Sequence, residues 1–186
     1  MVSVKNIILL VEETVEVLLN AGYHVTVRPH LMTYKLAPKC IQNLVDKFDR
    51  YTSFDLDPDT SSSDLLHIAD IMVSDWSGVA LEFAFGLEKP IAFIDVPIKV
   101  NNPEYSRLRA IPIEISLRDK IGKVLPADNL AQLPALIAEL RAAAVSEKLE
   151  FQKLREQYVF NIGKSADRGA EAIMTIFKES VSGTKP

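Results

Sequence analysis

The sequence of 186 residues is 48% hydrophobic with a formal net charge of −4, which is typical of one globular domain with a sizeable apolar core. The weakly acidic balance gives no support to a nucleic-acid-binding surface, and the single cysteine, Cys40, excludes an intrachain disulfide or a multi-cysteine metal site. The apolar run at residues 6–11 is far shorter than the ~20 residues of a membrane span. We therefore expect a cytoplasmic chain, and peripheral attachment at the inner face of the membrane stays open.

The first predicted element, over residues 5–20, can be read in two ways. Residues 5–11 are apolar enough for a buried strand, whereas Val11 and Val15 lie at helical spacing. Gly22 then follows as a helix C-cap would, and a helix over most of 5–20 is favoured.

Short strands and helices alternate along the rest of the chain. Strands are predicted at 23–28, 71–74 and 91–95, with a further candidate at 111–115, and helices at 38–48, 64–69, 79–87, 128–143, 146–157 and 166–180. Residues 51–63 and 96–105 are predicted loops. The alternation indicates an α/β fold, a Rossmann-like parallel sheet with helices on both faces. We expect a single domain over residues 1–180 and a disordered tail at 181–186.

The loop Ser74-Asp75-Trp76-Ser77-Gly78 connects a predicted strand to the start of a predicted helix. Ligands of open parallel sheets bind beyond the carboxyl ends of the strands, and the first N–H groups of a helix have no partners within it. The hydroxyls of Ser74 and Ser77, the bare backbone of Gly78 and the helix dipole would together suit a phosphate. The alternative is simple helix capping by serine or aspartate, and spacing alone does not separate the two.

Glu82, Arg28 and His30 are further candidates. Glu82 lies one turn inside an apolar helix, where a buried carboxylate needs a partner; it could accept hydrogen bonds from two ribose hydroxyls or lie on an exposed helix edge. Arg28 and His30 flank Pro29 after a predicted strand. An arginine fork suits phosphate and a histidine can act as acid or base near neutral pH, whereas ordinary surface polarity is the alternative.

Lys164, Ser165 and Arg168 form a cationic start to the last predicted helix. The Gly-Lys-Ser sequence there is not a P-loop, because position 158 is Tyr where that motif requires Gly. A helix N-terminus that carries a serine and an arginine could still hold a phosphate.

Three segments together carry a resemblance to a known family. They are GYHVTVRPH at 22–30, ADIMVSDWSGVALEFAFGLEKPIAFID at 69–95 and FNIGKSADRGAEAI at 160–173. In this order they resemble the CDP-glycerol glycerophosphotransferase family of teichoic acid polymerases and primases. That family has a strand ending in His-Pro, a T/S-D-Y/W-S-S/G loop before a helix with D/E-F-A, and a late G-x-S-x-x-R segment.

The resemblance implies the carboxyl-terminal domain of a GT-B fold, which binds the nucleotide-diphosphate donor. The positions that match its donor site are Ser74, Asp75, Ser77 and Gly78 for the pyrophosphate, Glu82 for the ribose, and Ser165 and Arg168 for a further donor phosphate. His30 matches a histidine tied to phosphate contact or catalysis and is the candidate general base, while Arg28 is expected to stabilise phosphoryl charge. No metal and no cofactor is implied.

Two departures from the family pattern concern the fold. The family's His-Pro pair is His30-Leu31 here, and family members are substantially longer, so the acceptor domain is expected outside this chain. The strand that usually opens the donor domain at the middle of the sheet is also not evident. Unless residues 5–11 supply it, a partner chain or self-association would have to complete the fold.

The reaction implied by the resemblance moves glycerol phosphate from CDP-glycerol, or a related group from another nucleotide-diphosphate donor, to a hydroxyl. The acceptor would be a polyol phosphate or a glycan, and CMP would leave. Two alternatives stay open: a fragment of a UDP-sugar-dependent GT-B glycosyltransferase or epimerase, and a non-catalytic nucleotide- or partner-binding module. Whether the chain turns over alone is equally open.

Overall fold

A computed structural model of the chain describes residues 4–59, 61–97, 104, 107 and 111–182. The chain divides into two compact units, Met1–Lys148 and Leu149–Pro186. Every strand of the described part belongs to the first unit. No helix among the described residues is long and apolar enough to cross a membrane.

Helices and short strands alternate along the described chain. In order they are α1 Val4–Asn20, β1 Val25–Val27, α2 Leu31–Leu36, α3 Pro38–Phe48, β2 Phe54–Leu56, α4 Asp64–Ile68, β3 Met72–Ser74, α5 Val79–Leu87, β4 Ile91–Asp95, α6 Ile113–Ser116, α7 Arg118–Ile121, β5 Gly122–Pro126, a 3-10 turn Leu130–Gln132, α8 Leu133–Tyr158 and α9 Ser165–Ser182. The end of α8 and the whole of α9 make up the second unit.

The strands form two parallel sheets. β1 pairs with β2, and β4 pairs with β3 on one side and β5 on the other. Because every pairing is parallel and helices connect the strands, the predicted α/β class is confirmed. Residues 5–11 lie in α1 and do not supply a central strand, and no strand of the described part joins β1 to β3.

One apolar core is shared by both sheets. Its buried side chains include Val25 and Phe54 of the two-stranded sheet, Ala92, Ile94 and Leu125 of the three-stranded sheet, Val15, Leu18 and Leu19 of α1, and Leu133, Ile137 and Leu140 of α8. Burial of each larger side chain in such a core contributes about 1.5–3 kcal/mol. Side-chain packing, and not a continuous hydrogen-bonded ladder, therefore holds the two sheets together.

The predicted loop over 51–63 was wrong in its first half, because it contains β2. That strand is only three residues long, with Phe54 buried and Asp55 exposed. Three residues are too few to display an alternation against polar neighbours. The short helix α2 was not predicted either; it begins where the His30 side chain accepts a hydrogen bond from the amide of Met32.

The candidate strand at 111–115 is also wrong, because α6 begins at Ile113. Pro112 precedes it in extended backbone, with φ −53° and ψ 141°, as suits the residue before a helix. The last strand is β5, which runs so close to β4 that a Cβ on Gly122 would collide with the carbonyl oxygen of Ile91. Glycine is required there by the sheet, although in a sequence it signals a loop.

The two helices predicted at 128–143 and 146–157 are a single helix, α8. Residues 144 and 145 between them are Ala and Val, so no glycine or proline ends the helix there. The helix favoured over 5–20 is confirmed, and the helices predicted at 38–48, 64–69, 79–87 and 166–180 are confirmed to within two residues.

The second unit presents α9 with every residue from Ser165 to Val181 exposed. Residues 181 and 182 of the expected tail belong to this helix, and 183–186 lie outside the described residues. Most of the predicted loop over 96–105 also lies outside them.

Candidate functional site

The loop from Ser74 to Gly78, called here the 74–78 loop, leaves the carboxyl end of β3 and enters α5. Ser74 is in register with Phe93 of β4, which continues to Asp95. Because the strands are parallel, the loop and Asp95 lie at the same carboxyl edge of the three-stranded sheet. Open parallel sheets bind their ligands at this edge.

No side chain caps the start of α5. Gly78 is the N-cap residue, and no side-chain hydrogen bond reaches the helix amides from Asp75 or Ser77. The first bonds of the helix run from the amide of Ala80 to the carbonyl of Ser77 at 3.2 Å and from the amide of Leu81 to the carbonyl of Gly78 at 3.0 Å. Capping by serine or aspartate is therefore not the role of this loop here, and the positive end of the helix dipole keeps no side-chain partner in the described part.

The helix behind the loop is firmly anchored. Ala80, Phe83, Ala84 and Phe85 are buried, and Phe83 and Ala84 have no exposed surface at all. A helix held in this way keeps its first amides in fixed positions, which is what preorganised binding of an anion requires.

Space is open in front of Gly78. Its backbone is right-handed helical, with φ −62° and ψ −25°, a conformation that any residue can adopt. Apart from the adjoining backbone and the two neighbouring residues, no described atom lies within 4 Å of a Cβ built on it. The fold therefore does not itself demand glycine at this position, and the opening is available to a ligand that approaches the backbone.

Trp76 ties the middle of the 74–78 loop to the end of β4. Its indole Nε1 donates a hydrogen bond to the carbonyl of Val96 at 2.7 Å. The guanidinium carbon of Arg118 lies 3.7 Å from the centre of the indole ring, and Arg118 Nη1 is 3.1 Å from Asp95 Oδ1. The loop is thus held by contacts that come from β4 and α7.

Sequence reasoning missed both Trp76 and Arg118. Trp76 is the single tryptophan of the chain, and a large aromatic residue inside a polar loop is a signal that the loop is packed against something. Arg118 gave no such signal, because it lies between Leu117 and Asp119 in a segment for which no element was predicted.

Glu82 lies on the exposed edge of α5, so it is not the buried carboxylate that the apolar helix suggested. Its carboxylate has no partner among the described residues. The groove beside it runs between α4 and α5 and is lined by Ser63, Leu66, His67, Glu82, Gly86 and Leu87. Lys89 fixes one wall of this groove, since its Nζ donates to the carbonyls of His67 and Ala69 at 2.6 and 2.7 Å.

Arg28 is engaged within the protein. Its Nη2 and Nε lie 2.6 and 2.9 Å from one carboxylate oxygen of Asp57, and its Nη1 donates to the carbonyl of Ser62 at 2.9 Å. Hydrogen bonding from Arg28 holds the pKa of Asp57 below its usual range. Arg28 therefore stabilises the segment that follows β2. A phosphate that bound to Arg28 would have to share its guanidinium with the Asp57 carboxylate.

His30 is exposed and caps α2. Its Nδ1 accepts a hydrogen bond from the amide of Met32 at 3.1 Å. A neutral histidine whose Nδ1 accepts must carry its proton on Nε2. In this arrangement the outer nitrogen of His30 is a hydrogen-bond donor, which suits contact with a phosphate better than proton abstraction.

Ser165 and Arg168 lie in the second unit, where both make local contacts. Ser165 Oγ donates to the carbonyl of Asn161 at 2.9 Å, and Arg168 pairs with Glu171 at 2.9 Å. Ser74, Asp75, Ser77, Gly78 and Glu82 lie together on the 74–78 loop and α5. Arg28 and His30 lie directly after β1, and Ser165 and Arg168 lie at the start of α9.

Comparison with known proteins places the chain in a family. The family model described as CDP-glycerol:poly(glycerophosphate) glycerophosphotransferase matches residues 5–175. No curated protein shows a significant match to the chain. No solved structure does so either.

Proposed function

This chain belongs to the CDP-glycerol:poly(glycerophosphate) glycerophosphotransferase family, and we propose that it supplies the donor-binding half of such a transferase. The half would correspond to the carboxyl-terminal domain of a GT-B enzyme. Its ligand is CDP-glycerol, whose two phosphates are bound by the 74–78 loop.

The uncapped entry of α5 is the observation that carries this proposal. The helix has nine residues and a buried face, so its dipole and its first amides are fixed in place. A helix N-terminus of this kind attracts an anion through about half a unit of positive charge and through its free N–H groups. Ser77 and Gly78 are exposed at this point and no side chain of the described part occupies it.

Glu82 supports a nucleotide over a bare phosphate. Glu82 lies four positions after Gly78, which is a rise of about 6 Å along the helix. That distance suits a ribose attached to a phosphate at the helix entry, with the two ribose hydroxyls donating to the carboxylate. The neighbouring groove between α4 and α5 would then receive the rest of the nucleoside.

The reaction follows from this placement. A hydroxyl of the acceptor attacks the phosphorus of the glycerol phosphate, the bridging P–O bond breaks, and CMP leaves with the bonding electrons. The helix entry stabilises the charge that develops on the CMP phosphate, so catalysis rests on position and electrostatics. His30 would contribute as a donor to a phosphoryl oxygen and Arg28 as a further phosphate contact. The base that takes the hydroxyl proton would come with the acceptor-binding part.

The product would be a teichoic-acid-like polymer of the cell envelope. Its acceptor is a polyol phosphate or a glycan, and synthesis from a cytidine nucleotide requires the cytoplasmic side of the membrane. We therefore propose a cytoplasmic location next to the membrane, with the acceptor domain supplied by another segment or chain.

Calorimetric titration of the chain with CDP-glycerol, CDP, UDP-N-acetylglucosamine and UDP tests the donor. Selective binding of the cytidine ligands is expected. Preference for the uridine ligands would instead favour the UDP-sugar glycosyltransferase or epimerase alternative. Ser77→Asp places a negative charge at the helix entry and should abolish binding; unchanged affinity in that variant would show that the phosphates bind elsewhere.

A further inference from the structure

Arg118 is the one charged side chain that is buried in the described part of the chain. Only 5% of its surface is exposed. It lies at the start of α7, immediately before β5. Taking a cation out of water is costly unless it is paired, so the groups around it indicate what it does.

The guanidinium is surrounded by the carboxyl end of the three-stranded sheet. Nη1 is 3.1 Å from Asp95 Oδ1, Nη2 is 3.4 Å from the carbonyl of Ile94, and Nε has no partner among the described atoms. Its carbon lies 3.7 Å from the ring centre of Trp76 and 5.1 Å from that of Phe93. One side chain thus touches both the end of β4 and the loop that follows β3.

This pairing is weak support for the fold by itself. Asp95 is about half exposed, so its attraction for Arg118 is screened by water. One nitrogen of the guanidinium remains without a hydrogen bond, which costs free energy in a buried site. The ion pair with Asp95 therefore does not by itself account for the burial of Arg118 beside Trp76.

We propose that Arg118 is a positioning residue for the 74–78 loop. Its planar guanidinium stacks on the indole of Trp76, an interaction that strengthens when both partners are shielded from water. The stacking keeps Trp76 at the end of β4, where its Nε1 donates a hydrogen bond to the carbonyl of Val96. Because Ser77 and Gly78 directly follow Trp76, their positions at the helix entry are fixed as well. The expected effect on nucleotide affinity rests on the proposed function, whereas the expected effect on the position of the 74–78 loop does not.

The single tryptophan makes the loop directly observable, because the indole emission of the chain comes from Trp76 alone. We compare Arg118→Met, which keeps length without charge or planarity, with Arg118→Lys, which keeps charge without a stacking plane. Arg141→Met is the matched control, since Arg141 is an exposed arginine that pairs with Asp70 at 3.5 Å. Circular dichroism and thermal melting report whether each variant is folded.

In Arg118→Met we expect the Trp76 emission to shift to the red and acrylamide quenching to increase, with CDP affinity reduced at least about tenfold. Arg118→Lys should show a smaller shift and a smaller loss, and Arg141→Met neither. Folded Arg118→Met with the emission and quenching of the unaltered chain would overturn the proposal. If that variant does not fold, the same result in Arg118→Lys would overturn it.

Nucleotide affinity and Trp76 emission together distinguish the positioning role of Arg118 from the donor-binding function of the chain. If the unaltered chain binds no nucleotide but Arg118→Met exposes Trp76, the positioning role stands and the donor-binding function fails. If CDP binds but the variants leave both emission and affinity unchanged, the positioning role fails and the donor-binding function stands.

Discussion

Replacing Gly78 by alanine should change the affinity for a phosphate ligand far more than it changes the free energy of unfolding. The backbone of Gly78 already has a conformation open to alanine, and no described atom beyond the adjoining backbone and the two neighbouring residues lies within 4 Å of the added Cβ. Loss of a good N-cap residue destabilises by up to about 1 kcal/mol, while the reduced entropy of the unfolded chain stabilises by about 0.4–1 kcal/mol. The two effects oppose each other, so the free energy of unfolding should change by no more than about 1 kcal/mol, or roughly 2–4 °C in Tm.

Binding should respond much more strongly. The new methyl group would stand where a phosphate oxygen approaches the helix entry, and loss of one hydrogen bond to a charged group costs about 1.5–3 kcal/mol. That range is about 10- to 150-fold in the Kd for CDP. Calorimetric titration and thermal melting of the same samples give both numbers.

A matched control is Gln42→Ala, which removes an exposed side chain of α3 that bonds to Asp46 at 2.7 Å. It should change neither the Kd nor the Tm appreciably. If Gly78→Ala is as stable as the unaltered chain and binds CDP equally well, the phosphates do not lie against the α5 entry.

Glu82→Gln should remove most of the preference for CDP over 2′-deoxy-CDP; a ratio of Kd values that stays the same in the variant would sink the ribose assignment. Gly122→Ala should destabilise the chain by about 2–4 kcal/mol, because its Cβ would collide with the Ile91 carbonyl; a urea midpoint unchanged by this substitution would contradict the close approach of β5 to β4. The pKa of Asp57 is lowered from 3.8 by Arg28, so this contact stabilises the fold above that pH and is lost as pH falls through the depressed pKa. The Asp57→Asn variant should therefore lose less of its urea midpoint between about pH 7 and about pH 3 than the unaltered chain does, and equal acid sensitivity would count against the contact.

The central part of the candidate site could be predicted from local chemistry. A buried strand, a polar loop with glycine and an apolar helix occur consecutively at 71–87, so one short stretch of chain defines both the loop and its place at the sheet edge. What spacing could not decide was the role of Asp75 and Ser77, because capping and anion binding use the same residue types. The structure decides against capping, because no side-chain hydrogen bond reaches the first amides of α5.

The contacts made at a distance could not be predicted. Arg118 reaches Trp76 across 42 positions of sequence and Arg28 reaches Asp57 across 29, and neither pairing leaves a periodic signal. Three-residue strands such as β2 are similarly hidden, since they are stabilised by their neighbours in the sheet and the core. The sheet break between β1 and β3 was expected only through a family pattern, conditional on residues 5–11 being helical.

The division of the strands into two sheets has a mechanical consequence. Arg28 and His30 follow the two-stranded sheet, whereas the 74–78 loop and Glu82 belong to the three-stranded sheet. No ladder hydrogen bond of the described part crosses between them, so a small sliding of one sheet over the shared core breaks none. The two groups of candidate residues are therefore connected only through the packed side chains of the shared core, and a shift of one sheet relative to the other would have to repack that core.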